Sequence, residues 1–156
     1  MTLRQNLISI IPLSFQSSIR EIEKFFDQLG FIDEKIDVIV ILEENDDQGY
    51  SNWKYVASKH KEFSIIIKKL KYQKSKGSCL NKAIDLCKTD YFMRCDMDDE
   101  IYPYRYKDTK QIIEQNEKEY IDLIYSDMFN LKNSKIIRYT TPKFLSIHSI
   151  WSNPIP

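Results

Sequence analysis

The sequence is poor in the residues that most often mark a metal centre or a secreted scaffold, with three cysteines and two histidines in 156 residues. Cys79, Cys87 and Cys95 are odd in number and evenly spaced. That pattern excludes an even disulfide framework and matches no zinc spacing, so they read as reduced, mostly buried thiols. His60 and His148 stand too far apart for metal-ligand spacing and read as surface or packing residues. Neither charge is in excess: Lys plus Arg and Asp plus Glu number 23 each. The mean field therefore gives no reason to expect nucleic acid or an anionic membrane as the main partner. One basic run, Lys68, Lys69, Lys71, Lys74 and Lys76, reads as a solvated loop, with phosphates or acidic lipid as the alternative. No stretch approaches the roughly 18 apolar residues of a membrane span, and Met1 to Ile11 lacks a signal peptide's apolar core and cleavage site. A cytoplasmic location is the default expectation.

What is present suffices for one core. Hydrophobic residues make up 42% and charged residues 29%, a globular composition of ordinary single-domain length. Asn6–Leu13 is a short isoleucine-rich run ended by Pro12 and a polar loop, which predicts a buried strand. Ile19, Ile22, Phe25, Phe26 and Leu29 then share one helical face, with Ser18 and Glu21 as a capping box and Gly30 at the stop. Asp37–Leu42 is a second buried strand, followed by the acidic run Glu43 to Asp47. A short helix over Ser51–Lys59, a strand over Phe63–Lys68 and a helix after Lys76-Gly77-Ser78 come next. Tyr91–Cys95 predicts a fourth strand, Pro103 opens a polar helix to about Glu119, and Ile121–Tyr125 predicts a fifth strand. Lys135–Tyr139 is a weak sixth. Alternation of this kind predicts an α/β fold with a mostly parallel sheet flanked by helices. Ligands in such folds bind beyond the carboxyl ends of the strands, where the acids after the second and fourth strands should share one cleft.

The densest cluster is Asp96-Met97-Asp98-Asp99-Glu100. Neighbouring carboxylates at a strand end repel one another unless a cation or hydrogen-bond donors neutralise them. Magnesium and manganese commonly take one or two carboxylates and draw their other ligands from water and substrate phosphate, which suits a loop with so few protein ligands. Two rival acidic motifs fail: an EF-hand loop counted from Asp96 would need Gly at Ile101 and Glu at Lys107. A haloacid-dehalogenase-type phosphatase would carry its acids after the first strand.

The order of motifs resembles glycosyltransferase family 2. Ile8-Ser9-Ile10-Ile11-Pro12 resembles the family's first strand, and Asp37–Leu42 with Glu43-Glu44 its second. Gly77-Ser78-Cys79-Leu80-Asn81 resembles the turn and helix beside the diphosphate. Asp90 to Asp99 resembles the strand and metal motif, with Pro103 and Arg105 beyond, and Tyr125-Ser126-Asp127 the following strand. Leu13-Ser14-Phe15 and Leu80 depart from the polar and basic residues common at those points. Trp151-Ser152-Asn153-Pro154-Ile155-Pro156 looks like the Asn-Pro-Ile segment that precedes the acceptor side.

That resemblance implies a GT-A fold, Rossmann-like, read as a single nucleotide-sugar-binding domain over residues 1–156 and incomplete at its carboxyl end. It implies Asp98 and Asp99 as ligands of Mn2+ or Mg2+. Asp96 would contact ribose or the metal's water shell, Glu43 or Glu44 the nucleobase, and Gly77 and Asn81 the sugar-diphosphate side, with Pro12 at the nucleotide loop. The donor would be a nucleoside-diphosphate sugar, a UDP-sugar first, and the acceptor a saccharide or lipid-linked sugar in surface polysaccharide assembly. Transfer would invert the anomeric centre. The general base is expected beyond Pro156, with Asp127 a weak substitute, so little transfer is expected of this chain alone. A second chain completing the site, or peripheral association with the inner face of the membrane, would follow, and no nucleic acid. The alternatives are a non-catalytic nucleotide-sugar-binding remnant, half of a split enzyme, or another metal-dependent nucleotidyl or phosphoryl transferase. Tyr102, Tyr104 and Tyr106 read as core and interface residues rather than a sugar platform.

Overall fold

The computed structural model describes residues 7–30, 32–71, 75–116, 124, 128–132 and 135–139. The chain divides into two compact units, Met1–Glu114 and Gln115–Pro156. From the amino terminus run β1 (Ile8–Leu13), α1 (Ile19–Leu29), β2 (Asp37–Leu42), α2 (Asp47–Ala57), β3 (Ser64–Lys69), α3 (Lys76–Leu86), β4 (Tyr91–Asp96) and α4 (Arg105–Gln115). The second unit contains β5 (Met128–Lys132) and β6 (Lys135–Tyr139), an antiparallel pair in register from Met128↔Tyr139 to Lys132↔Lys135.

In the first unit the strands form a parallel sheet in the order β3-β2-β1-β4. Right-handed crossovers explain where the helices lie. The chain steps outward from β1 to β2 to β3, so α1 and α2 share one face; it then returns past β1 to β4, which sends α3 to the other. Ile11, Ile39 and Ile41 pack with Cys79 and Ala83 of α3 as one apolar layer. Ile10, Val38 and Val40, pointing the opposite way by strand alternation, are fully buried toward α1 and α2. Those two helices meet through aromatic edges, with Trp53 centred 5.8 Å from Phe25 and 5.9 Å from Phe26. The result is an α/β fold of GT-A type.

Local chemistry sets the boundaries. The α1 capping box forms as predicted: Ser18 Oγ accepts the Glu21 N–H at 3.3 Å, and Glu21 accepts the Ser18 N–H at 2.7 Å. Helix α2 begins four residues before the predicted Ser51, because Asp46 caps it by accepting the Gly49 N–H at 2.8 Å. Helix α4 starts at Arg105 rather than Pro103: the Arg105 N–H donates to the Tyr102 carbonyl at 2.9 Å, leaving Pro103 inside a turn. It ends at Gln115; residues 117–119, the end of the predicted helix, lie outside the described residues. The strand predicted at Ile121–Tyr125 also lies outside them, apart from Ile124, which is in neither helix nor strand. Strand β5 is absent from the sequence reading. Met128–Lys132 is short and interrupted by Asn130, so its pairing with β6 defines it more than its own alternation does.

Candidate functional site

A parallel sheet ordered β3-β2-β1-β4 has its topological switch between β1 and β4, because the chain leaves β1 in one direction and returns on the other side. The crevice beyond the carboxyl ends of these two strands is where such sheets bind ligands. Leu13 pairs with Asp96 at that edge, and the Met97 N–H donates to the Leu13 carbonyl at 3.3 Å. Pro12, buried and paired with Cys95, offers no N–H to either neighbouring strand. Pairing of β1 with β4 runs from Ile8↔Tyr91 to Leu13↔Asp96, whereas β1 registers with β2 only at Ile10↔Val38.

The acidic loop leaves β4 through a turn closed by the Asp99 N–H on the Asp96 carbonyl at 3.2 Å. It is tied to α1 by the Ile101 N–H, which donates to Gln28 Oε1 at 3.0 Å, and by the Lys24–Glu100 ion pair at 2.9 Å. A small recess between loop and helix is lined by Glu21, Lys24, Phe25, Gln28, Asp96 and Asp99, among others. Burial, then the negative charge of Asp96 and Asp98, pushes the Asp99 carboxyl up, while Arg105 and Arg94 pull it down. The three aspartates therefore act on one another, with Arg105 and Arg94 opposing them. Asp96 is partly neutralised already, since Arg94 Nη2 donates to both its carboxylate oxygens at 2.8 and 3.1 Å. Among the described residues no three His, Cys, Asp or Glu side chains converge as a metal cage.

After β2 the structure singles out a residue that sequence reasoning left inside an acidic run. Glu43 is half-buried and Glu44 exposed, but Asp46 is 2% exposed. Its carboxylate accepts the N–H of Gln16 and of Gly49, each at 2.8 Å. Gln16, in the loop after β1, has a φ of 49°, a left-handed conformation that an ordinary residue adopts at some cost. Asn52 Nδ2 donates to the Ser17 carbonyl at 2.9 Å, and Trp53 Nε1 to Ser14 Oγ at 2.8 Å. These bonds fasten the loop after β1 to α2. An Asp three residues before a Gly at a helix start was the available signal, hidden among four other acids and amides.

On the opposite sheet face, Ser75 caps α3 and accepts the Ser78 N–H at 3.4 Å. Gly77 and Asn81 are exposed on this helix, and Cys79 is buried beneath it. The Cys79 thiol is pushed up by burial and secondarily by Glu43, so Glu43 acts on the first turn of α3. Tyr106 is buried, but Tyr102 and Tyr104 are 60% and 53% exposed and pair edge to face at 5.6 Å; only Tyr106 behaves as the expected core residue. His60 packs on Phe26, with ring centroids 4.3 Å apart. Asp127 and His148 lie outside the described residues.

This arrangement belongs with one further observation: the family model described as glycosyl transferase family 2 matches residues 19–150. The chain belongs to that family. No curated protein and no solved structure matched in the same comparisons. The matched segment of this family 2 glycosyltransferase domain begins at the first residue of α1, so it takes in the acid loop, the α3 turn and both acidic strand ends, and leaves β1 with Pro12 outside. Among the described residues no helix is long and apolar enough to cross a membrane.

Proposed function

We propose that this domain binds a nucleoside-diphosphate sugar, a UDP-sugar first, at the β1/β4 crevice with a divalent cation, and transfers the sugar with inversion. The acceptor is a saccharide or lipid-linked glycan in surface polysaccharide assembly on the cytoplasmic side, and both compact units belong to one catalytic domain. The observation that carries the reading is the placement of Asp96, Asp98 and Asp99 together in the turn that leaves β4 beside the switch point, with Asp96 paired to Leu13 and the Asp99 N–H on the Asp96 carbonyl at 3.2 Å. Neighbouring carboxylates at a strand end gain from a cation.

Donor chemistry decides which residues fit. Asp96 is engaged by Arg94, and no closed cage forms among the described residues. Asp98 and Asp99 remain, which suits Mn2+ or Mg2+ holding part of its shell from water and diphosphate. Such an ion, when bound, offsets charge on the leaving diphosphate. The chain's own residues do the rest. Asp96 orients ribose or the ion's water shell, and Glu43 or Glu44 accepts from the nucleobase. Gly77 and Asn81 flank the sugar-diphosphate, and the loop after Pro12 covers the base. An acceptor hydroxyl attacks the anomeric carbon as the bond to the diphosphate oxygen breaks, and its proton passes to a general base.

The test is a thermal-shift panel of nucleoside diphosphates, with and without manganese, on wild type and Asp98→Ala. The expected result is a manganese-dependent rise in Tm with UDP that Asp98→Ala abolishes. A rise that survives the substitution unchanged removes Asp98 from the metal role, and equal rises with all nucleotides favour a general nucleotidyl or phosphoryl transferase.

A further inference from the structure

The balance of 23 acids against 23 bases conceals a separation of charge across the sheet. Between Tyr50 and Lys76 the sequence has eight lysines, no arginine and a single acid, Glu62. This stretch forms α2, β3 and the entry to α3, and β3 is one edge of the four-stranded sheet. At the other end of the described strand order, Asp90 to Glu100 along β4 has five acids and one arginine. Three strand spacings of about 4.8 Å put β3 and β4 about 14 Å apart. The Debye length at physiological ionic strength is about 8 Å, so the acids beside β4 do not cancel the field at the β3 margin. The mean charge therefore misstates what a partner meets there.

The margin's side chains are available. Lys54, Lys61, Lys68, Lys71 and Lys76 are exposed, while Lys59 and Lys69 are engaged by Glu23 at 2.9 Å and Asp47 at 2.6 Å. Strand alternation sends Lys68 to the α3 face and Lys69 to the α2 face, so charge lies on both sides of the edge. Tyr55 is 52% exposed, with Lys59 Nζ 4.3 Å from its ring centre, and Lys54 Nζ lies 5.0 Å from the ring of Tyr50. Lysine is a strongly hydrated point charge, whereas forked recognition of individual phosphates favours arginine. A lysine over each ring also occupies a face on which a nucleobase would stack. Lysines spread over a margin, with an exposed tyrosine among them, fit a broad anionic surface with an interfacial layer.

We propose that the α2–β3 margin docks this domain on a bilayer containing anionic lipid, with the β4 acid loop three strands away from the headgroups. The inference is independent of donor binding; it deepens the reading of the acceptor as lipid-linked by giving the domain an orientation on the surface that would hold it. The experiment is sedimentation of the full chain with vesicles of phosphatidylcholine alone or mixed with phosphatidylglycerol, at low and high salt and without nucleotide. The expected result is binding to the mixed vesicles only, reversed by salt. Each lysine beside an anionic surface is worth roughly fivefold in affinity, so joint Lys61→Glu, Lys68→Glu and Lys71→Glu should weaken binding at least about a hundredfold. Lys54→Glu with Lys76→Glu should act alike, and Lys88→Glu with Lys107→Glu, exposed elsewhere, should not. Melting curves establish that each variant folds. Equal binding to neutral vesicles, or indifference to the margin substitutions, overturns the proposal. So does displacement by inorganic phosphate at matched ionic strength, or lysine-dependent binding of single-stranded RNA without vesicle binding. The manganese–UDP shift is measured separately, so failure of either reading leaves the other standing.

Discussion

Replacing Gly49 by alanine tests the bond network after β2 against simple helix propensity. Gly49 is the third residue of α2, where alanine is ordinarily favoured over glycine by about 0.5–1 kcal/mol. A Cβ there, however, would fall inside van der Waals contact with both carboxylate oxygens of Asp46. That carboxylate is buried and bonded to two N–H groups, so it cannot swing aside without breaking them. Losing the cap costs about 0.5–2 kcal/mol, and stranding the Gln16 N–H, already in a left-handed conformation, costs about 1–3 kcal/mol more. Set against the propensity gain, the net destabilisation should be about 1–4 kcal/mol. Urea denaturation followed by circular dichroism measures it, with an unchanged m-value expected. The internal control is Gly77→Ala in the first turn of α3. There the nearest atom to a built Cβ is Ser75 Oγ at 3.9 Å, and nothing opposes the propensity gain. Gly77→Ala should stabilise the fold by about 0.5–1 kcal/mol. If Gly49→Ala also stabilises, Asp46 does not hold the two loops together.

Ser18→Ala should cost about 1 kcal/mol by removing the α1 cap, measured by the same denaturation. The Glu21 carboxyl is held below its ordinary range by hydrogen bonds from Ser18; its share of that cap is present above the ordinary carboxylate range and is lost as pH falls through the lowered value. Burial pushes the Cys95 thiol up from about 9 to about 11. The folded state then keeps a proton that the unfolded chain releases, so stability should fall between about pH 9 and pH 11, by up to about 3 kcal/mol. At neutral pH none of the three thiols, all pushed up chiefly by burial, should react quickly with a disulfide reagent until the protein is denatured. Rapid native-state labelling at Cys95 would contradict its burial.

The sequence made the first unit readable because its signals are local and agree with one another. β2 is an unbroken β-branched run, α1 has cap, stripe and stop in order, and the acids after β4 sit at a strand end. Where packing or pairing decides, reading failed. The start of α2 depends on Asp46 turning inward, which its acidic neighbours conceal, and β5 depends on β6. That Asp96, Asp98 and Asp99 follow one another at the end of β4 was legible from spacing alone. The Arg94–Asp96 pair was not, because residues two apart on a strand lie on one face and their pairing depends on rotamers. Net charge misled for a related reason: composition averages over faces, and only strand order reveals which edge bears which sign.

The fastening of the Ser14–Ser17 loop to α2 has a thermodynamic corollary. Ordering a free loop on capture of a ligand costs about 1–2 kcal/mol of backbone entropy for each residue fixed. Here Asp46, Asn52 and Trp53 have met that cost during folding. Under the proposed reading, a nucleotide arriving over this loop would find it preorganised, and its affinity would be set by the groups it meets rather than by the chain it must still order.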